Sequence, residues 1–292
     1  MEALAGPPHQ ALYFVLAYLP LQQLLLVSQV CKSFKDSIRD DVLVWLNLVV
    51  ENPLSVRLTD QILMNISSKA HGRLRTLALL NCVKITDEGL LNVVNSNPLL
   101  TKLYVPACTG LTPEGVIKAV ETLAGKSTAF ISVKINGIYN INKEHLVILQ
   151  SYLTTDNTIK SKRRFYHKYR SSSLCSLDKD VRTIDVEICP KCIEVKLVFH
   201  CPKETECIGC FQCIPRCEVC GRCISDQDED DQGETICNDT VCLDCWLCLP
   251  KCNHCNKPFC PRHAPHKLDP LDSQGFLCEV CHTKSLTEQL LE

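Results

Sequence analysis

The sequence predicts a multidomain protein with a helical N-terminal segment, a short α/β repeat array and one or more small, cysteine-rich C-terminal domains. Apolar residues recur at helical spacing in residues 9–50, a 26-residue period follows, and 18 of the 22 cysteines lie between Cys189 and Cys281. A chain of 292 residues with 46% apolar content can bury a core. The predicted boundaries are 1–52 for the helical segment, 54–153 for the repeats, 154–183 for a linker and 184–285 for the cysteine-rich region.

The N-terminal segment has more apolar positions than one buried helical stripe needs. The run 12–34 follows helical spacing and is broken at Leu19-Pro20. A hairpin this apolar cannot hide its surface alone, which favours a partner; a helical cap on the next domain is the alternative. No Lys or Arg precedes the run and Pro20 interrupts it, so we expect no signal peptide and no membrane helix. We expect an intracellular protein, nuclear, cytoplasmic or both.

The run YLPLQQLLLVSQVCKSFKDSIRDDVLVW resembles an F-box over about 40 residues. The matching positions are Leu19, Pro20, Leu24, Leu25, Ser28, Val30, Cys31, Lys32, Phe34 and Trp45. The resemblance implies docking onto the Skp adaptor, and through it onto a cullin, in a Skp-cullin-F-box ubiquitin ligase. It implies Skp-binding roles for Leu19, Pro20, Leu24, Leu25, Val30, Phe34 and Trp45, and it gives Cys31 a packing role.

Two segments repeat at a period of 26 residues, LRTLALLNCVKITDEGL from Leu74 and LTKLYVPACTGLTPEGV from Leu100. Both carry L-x-x-L-x-L/V-x-x-C, the leucine-rich-repeat consensus, and flanking segments extend the array to three or four units. Each unit predicts a short strand and a helix that bury their apolar faces against neighbouring units. Cys82 and Cys108 fill the closing position of the consensus, where we expect a structural role. Such an array after an F-box resembles the leucine-rich class of F-box proteins.

The predicted linker contains KSKRRFYHKYRSSS, residues 160–173, in which six basic residues are interleaved with three aromatic residues. The pattern is typical of a solvated linker, with nuclear import or single-stranded nucleic-acid binding as alternatives. The formal net charge of −2 gives no general attraction to nucleic acid or to an anionic membrane.

The cysteine-rich region has ferredoxin spacing, C-x2-C-x2-C-x3-C, at CIGCFQCIPRC (207–217) and again at CLDCWLCLPKC (242–252). The proline expected after the fourth cysteine is replaced by Glu218 and Asn253, and each run continues with a further x2-C. Six C-x2-C pairs in a reducing compartment favour zinc over iron–sulfur clusters, disulfides or free thiols. The predicted ligands are Cys189, Cys192, Cys207, Cys210, Cys217, Cys220, Cys242, Cys245, Cys252, Cys255, Cys260, His263, Cys278 and Cys281.

The pairing of these ligands stays open. Sequential pairing joins 189/192 to 207/210, 217/220 to 242/245 and 252/255 to 278/281, with 14, 21 and 22 intervening residues. A cross-brace pairing would instead join 242/245 to 260/263 and 252/255 to 278/281. Further ligands are available at His200, Cys201, Cys213, Cys223, Cys237, Cys248 and His266, so three to five zinc ions are predicted. Because sulfur dominates and the sites can close, we expect structural and not catalytic zinc.

Together the three regions resemble plant F-box proteins of the Skp-interacting-partner type. The resemblance implies a non-enzymatic, substrate-recognition subunit that binds the Skp adaptor at one end and an unknown target protein with the repeats or the zinc region. The alternative function is a zinc-dependent nucleic-acid-binding or protein-interaction module outside any ligase. An iron–sulfur redox protein is a third class.

Overall fold

The computed structural model describes residues 9–126, 132–153, 164–166, 182–203, 207–224, 232–260, 263 and 276–289. These residues divide into two compact units. The first contains the described residues up to 153 together with 182–188 and 194–197, and the second contains 164–166, 189–193 and the described residues from 198 onward. Within the described residues no helix is long and apolar enough to span a membrane.

The first unit begins with three short helices, as the periodicity predicts: α1 (Ala11–Val15), α2 (Leu21–Val27) and α3 (Lys32–Asp40), with a 3-10 turn at Leu16–Tyr18. Pro20 lies at the N-cap of α2. A proline is tolerated at this position because its missing N–H would not form an intrahelical hydrogen bond. Trp45 is buried, and its indole Nε1 donates to the carbonyl oxygen of Ile38 at 2.7 Å. This bond fixes the chain after α3 against the hairpin.

A four-stranded parallel sheet follows, in the order β1 (Asn47–Val50), β2 (Thr76–Leu79), β3 (Lys102–Tyr104) and β4 (Ser132–Lys134). Helices α4 (Asp60–Ser68), α5 (Asp87–Ser96), α6 (Pro113–Lys126) and α7 (Lys143–Tyr152) follow the strands in turn. Leu48, Leu77, Leu103 and Val133 are in register across the sheet, and all are buried. The repeating strand–helix unit is therefore present, whereas its assignment to the leucine-rich class stays a prediction. Strand β1 lies within the range predicted for the helical segment.

A carboxylate from one repeat holds the start of the next helix. Asp60 accepts from the backbone N and the Oγ1 of Thr86 at 3.0 and 2.6 Å, and Asp87 accepts from the same atoms of Thr112 at 2.9 and 2.6 Å. Each threonine Oγ1 in turn accepts from a glycine N–H in its own helix, at Gly89 and Gly115. The repeated T-D-E-G and T-P-E-G segments thus encode the contact between repeats.

We expect Gly115→Ala to lower the free energy of unfolding by about 1–3 kcal/mol, because overpacking forces neighbouring atoms to move. A Cβ at Gly115 would lie 2.1 Å from the Asp87 carboxyl group, which Thr112 holds in place. Gly125→Ala is the matched control in the same helix, since its Cβ would meet no atom within 4 Å. Replacing a helical glycine in open space raises stability by about 0.5–1 kcal/mol. Urea unfolding of both variants checks the difference, and equal effects would contradict it.

The exposed edge of β4 is covered by residues 182–185 of the same unit. Val133 N–H donates to Thr183 O at 2.7 Å, and the Asp185 carboxylate accepts from the backbone N–H groups of Ile135 and Asn136. Lys134 is fully buried, and its Nζ donates to the carbonyl oxygen of Arg182. This segment satisfies edge groups that would otherwise be open to pairing with another chain.

Cys82 and Cys108 are both fully buried in the core of the first unit. The Cys108 thiol donates to the Leu79 carbonyl oxygen at 3.1 Å, and contact with Cys108 together with burial raises the pKa of Cys82. The same contact lowers the pKa of Cys108, so only Cys82 is held protonated, and burial shields both thiols from solvent.

The second unit contains little regular structure. Its elements are the pairs β7 (Val198–His200) with β8 (Ile208–Cys210) and β9 (Gln232–Gly233) with β10 (Val241–Cys242), and helices α8 (Leu243–Cys248) and α9 (Glu279–Gln289). The antiparallel pair β5 (Glu187–Ile188) and β6 (Val195–Lys196) belongs to the first unit. Of the basic run 160–173 only residues 164–166 are described. Arg164 and Tyr166 are buried there, with Tyr166 edge-on to Phe199 at 5.1 Å between ring centroids.

Candidate metal centres

Four groups of side chains in the second unit could each hold a metal ion, with all donor atoms of a group within 4.8 Å of one another. Three groups are purely cysteine: 189/192/210/213, 217/220/242/245 and 252/255/278/281. The fourth combines Cys237, Asp239, Cys260 and His263. Sequential pairing thus describes the second and third groups, and cross-brace pairing of 242/245 with 260/263 does not occur.

In the first group the partners of Cys189 and Cys192 are Cys210 and Cys213, whereas sequential pairing predicts 207/210. Cys210 ends β8, and the turn that follows, with Cys213 N–H bonded to Cys210 O at 3.2 Å, places both thiols together. Cys207 lies three residues before Cys210 on extended chain, where side chains three apart point to opposite faces. The pairing of Cys207 with Cys210 is therefore wrong, because the C-x2-C rule assumes a turn and residues 208–210 form a strand.

The first C-x2-C pair of each cysteine group forms the same tight turn. The N–H of the residue four after the first cysteine donates to that cysteine's carbonyl oxygen: Ile193 to Cys189 at 2.8 Å, Gly221 to Cys217 at 2.8 Å and Asn256 to Cys252 at 3.0 Å. All three donors have positive φ, at 62°, 75° and 55°. Glycine and asparagine tolerate this conformation, whereas a β-branched residue such as Ile193 is strained in it.

The second pair of each group is supplied by a different element. Cys242 ends β10 and Cys245 lies in the first turn of α8, whereas Cys278 directly precedes α9 and Cys281 lies in its first turn. The Sγ atoms of Cys220 and Cys242 are 3.8 Å apart, and those of Cys255 and Cys278 are 3.9 Å apart. Tetrahedral coordination at about 2.3 Å per Zn–S bond requires a sulfur–sulfur separation of about 3.8 Å. The donor sets therefore fit zinc.

Hydrogen bonding prepares one sulfur in each cysteine group to be a thiolate. Burial opposes ionisation of Cys189, but N–H groups directed at its sulfur, including that of Cys210 at 3.3 Å, lower its pKa to about 6. Cys252 has the same arrangement, with the Cys278 N–H at 3.3 Å and a pKa of about 6. Crowding has the reverse effect on neighbouring thiols: contact with Cys210, followed by burial, raises the pKa of Cys213 to about 12. Without a cation, ionisation of one thiol disfavours ionisation of its neighbours. A bound cation would stabilise all four thiolates together.

The mixed group contains two residues that were not among the predicted ligands. Asp239 Oδ2 lies 2.9 Å from Cys260 Sγ and 3.0 Å from His263 Nδ1, and Cys260 Sγ lies 3.2 Å from the same nitrogen. Cys237 is one of the further ligands that the sequence makes available, whereas cysteine spacing does not indicate Asp239. A signal for this group is present in the sequence. Cys237-x-Asp239 and Cys260-x2-His263 are two pairs of metal-binding residue types, each close together along the chain.

The predicted Skp-binding residues fall into two classes in the structure. Leu24, Phe34 and Trp45 are buried in the helical hairpin, so they hold its helices together. Pro20 and Val30 are exposed, with Val30 at 73%, and Leu19 and Leu25 are half-buried. Larger exposed apolar side chains that the prediction omitted lie beside them, Phe14 at 79% and Tyr18 at 86%. Helical spacing could have indicated both, since Phe14 and Tyr18 are four residues apart.

The chain thus combines a helical hairpin with an apolar surface, strand–helix repeats and a thiol-rich unit, and comparison with known proteins assigns this combination to the F-box proteins. The F-box-like family model matches residues 8–51, and the model described as At3g27290 F-box protein C-terminal domain matches residues 185–254. The second match covers Cys189 through Cys252 and thus most of the candidate ligands.

Three similar proteins from Arabidopsis thaliana place the chain more narrowly. F-box protein SKIP28 is 40% identical over 96% of this chain and 91% of its own length. F-box protein SKIP14 is 37% identical over 75% of this chain and 50% of its own length, and F-box protein At3g27290 is 36% identical over 75% and 61%. The chain therefore belongs to the plant F-box proteins of the Skp-interacting type, which confirms the family indicated by its sequence.

Among solved structures, the crystal structure of the Rad7 and Elc1 complex in yeast resembles 57% of this chain and 44% of the matched chain. The sequence identity is 21% and the TM-score is 0.27, so this likeness carries no argument about fold or function.

Proposed function

We propose that this chain is a non-catalytic, substrate-recognition subunit of a Skp-cullin-F-box ubiquitin ligase. The observation that carries the proposal is the exposed apolar surface of the helical hairpin, within the range matched by the F-box-like family model. No Asp, Glu, Lys or Arg occurs between residues 9 and 31. An uncharged surface with exposed aromatic side chains is costly in water and typical of a protein interface.

The proposed Skp-binding surface consists of exposed and half-buried hairpin residues: Phe14, Tyr18, Leu19, Pro20, Leu25, Leu26 and Val30. Phe14 and Tyr18 offer the large, rigid side chains that dominate binding energy at interfaces. Leu24, Phe34 and Trp45 support this surface from beneath. Through the Skp adaptor the chain would be joined to a cullin.

Zinc is the metal we propose for the four groups of donors, because three of them are purely sulfur and close around a tetrahedral ion. Such ions are structural, since a closed site leaves no position for a substrate. Their role is to stabilise the second unit as the region that binds the target protein. Exposed Phe211 and Leu247 give this unit apolar side chains for such a contact.

Co-elution with a Skp adaptor on a sizing column, followed by titration, tests the adaptor role. We expect a one-to-one complex with a Kd below about 1 μM, which corresponds to about −8 kcal/mol. The zinc-loaded full chain should be used, so that misfolding of the second unit does not obscure the result. Failure to bind at micromolar concentration would contradict the proposed role and leave the hairpin as a cap on the repeats.

A further inference from the structure

Three cysteines of the second unit converge outside the four groups described above. Cys201 follows β7 and Cys207 precedes β8, and a backbone bond from Cys201 N–H to Cys207 O at 3.0 Å brings them to the same end of that hairpin. Cys223 comes from the next turn, where it pairs with Arg216 in an antiparallel bridge. The turn that holds Cys217 and Cys220 for one metal group thus also positions Cys223.

One sulfur–sulfur separation in this cluster is as short as those in the four-cysteine groups. Cys201 Sγ lies 3.7 Å from Cys223 Sγ, against 3.8 and 3.9 Å in the second and third groups. Cys207 adjoins this pair through its backbone bond to Cys201, and its sulfur lies 3.9 Å from the Arg216 guanidinium. A disulfide would need a sulfur–sulfur distance of about 2.05 Å. The Cys201–Cys223 separation is that of two sulfurs bound to one ion.

The buried guanidinium of Arg216, which lies beside the cluster, needs a negatively charged partner. Arg216 is 4% exposed, its Nη2 lies 3.9 Å from Cys207 Sγ, and its other contacts are the carbonyl oxygens of Phe199 and Gly221. Among the described residues no carboxylate forms an ion pair with Arg216, and its Nε has no hydrogen-bond partner. A buried charge without compensation is strongly destabilising. Three thiolates around Zn²⁺ carry one net negative charge, which a single guanidinium neutralises.

We propose that Cys201, Cys207 and Cys223 hold a further zinc ion and that Arg216 neutralises its thiolate ligands. The ion takes its fourth ligand from water or from another side chain. The inference rests on the proposed zinc loading of the four groups and adds one site to them. The full chain then binds five ions, the upper end of the range predicted from its sequence.

The test is the zinc-to-protein ratio of the full chain, measured by native mass spectrometry and by elemental analysis after purification without chelator. We expect five ions in the unmodified chain and four in Cys201→Ser and in Cys223→Ser. Cys248→Ser is the matched control, because Cys248 is exposed and belongs to none of the groups, and it should retain five. Cys223→His, which keeps a zinc-binding side chain, should also retain five.

The outcomes separate this inference from the zinc proposal on which it rests. Four ions in the unmodified chain would overturn the further site and leave the four groups intact, whereas no zinc would overturn the loading itself. A mass deficit of two hydrogen atoms, assigned to a Cys201–Cys223 disulfide, would also overturn the further site. If Cys223→Ser does not fold, the count in the unmodified chain still decides.

Discussion

Cys242→Ser is expected to remove at least one zinc ion and to unfold the second unit while the parallel sheet of the first unit stays intact. Structural zinc contributes on the order of 10 kcal/mol of folding free energy per ion. The core around Cys242 buries Ile224 and Val241, each contributing about 1.5–3 kcal/mol, whereas Val219, Trp246 and Leu249 are only partly buried against it. The metal is therefore the larger effect, and the apolar core cannot replace it.

Hydrogen exchange of the backbone amides measures separately how far each unit is unfolded. Residues 207–224 and 232–260 should lose protection, whereas strands β1 to β4 should keep theirs. The matched control is Cys248→Ser at the other end of α8, where the thiol is exposed. Full protection of the second unit in Cys242→Ser, or after metal is removed and its absence is verified, would contradict a structural role for the ion.

Pro20→Glu combined with Val30→Glu should weaken binding to the Skp adaptor at least 100-fold, equivalent to about 2.7 kcal/mol. Both positions are exposed, so the fold should tolerate the change, but a carboxylate without a partner at a buried interface is strongly unfavourable. Affinity can be measured by calorimetric titration of the zinc-loaded chain with the adaptor.

Val147→Glu is the control for this pair of changes. Val147 is apolar and 64% exposed on α7, outside the proposed Skp-binding surface. It should leave the affinity unchanged, and all variants should retain their zinc content and circular dichroism. If Pro20→Glu with Val30→Glu binds as tightly as the unmodified chain, the hairpin surface containing these residues is not the interface.

The helical hairpin and the strand–helix order could be predicted because they depend on local patterns. Pro20 separates the turn at Leu16–Tyr18 from α2, and the 26-residue period places Leu77 beside Leu103 once the strands are parallel. Which hairpin residues face outward could not be read in this way. Leu24 and Val30 both match the F-box pattern, yet one is buried and the other is exposed, because burial depends on packing between helices.

The sequence by itself determined the family, the repeat period and the set of cysteines that favours zinc, since these follow from residue type and spacing along the chain. Only the tertiary structure decided which thiols share a group. Cys207 is not paired with Cys210 because the residues that connect them form a strand and not a turn. The folded backbone also brings Asp239 to the mixed donor group and Arg216 to Cys207. These contacts join segments that are distant in sequence, which spacing rules do not describe.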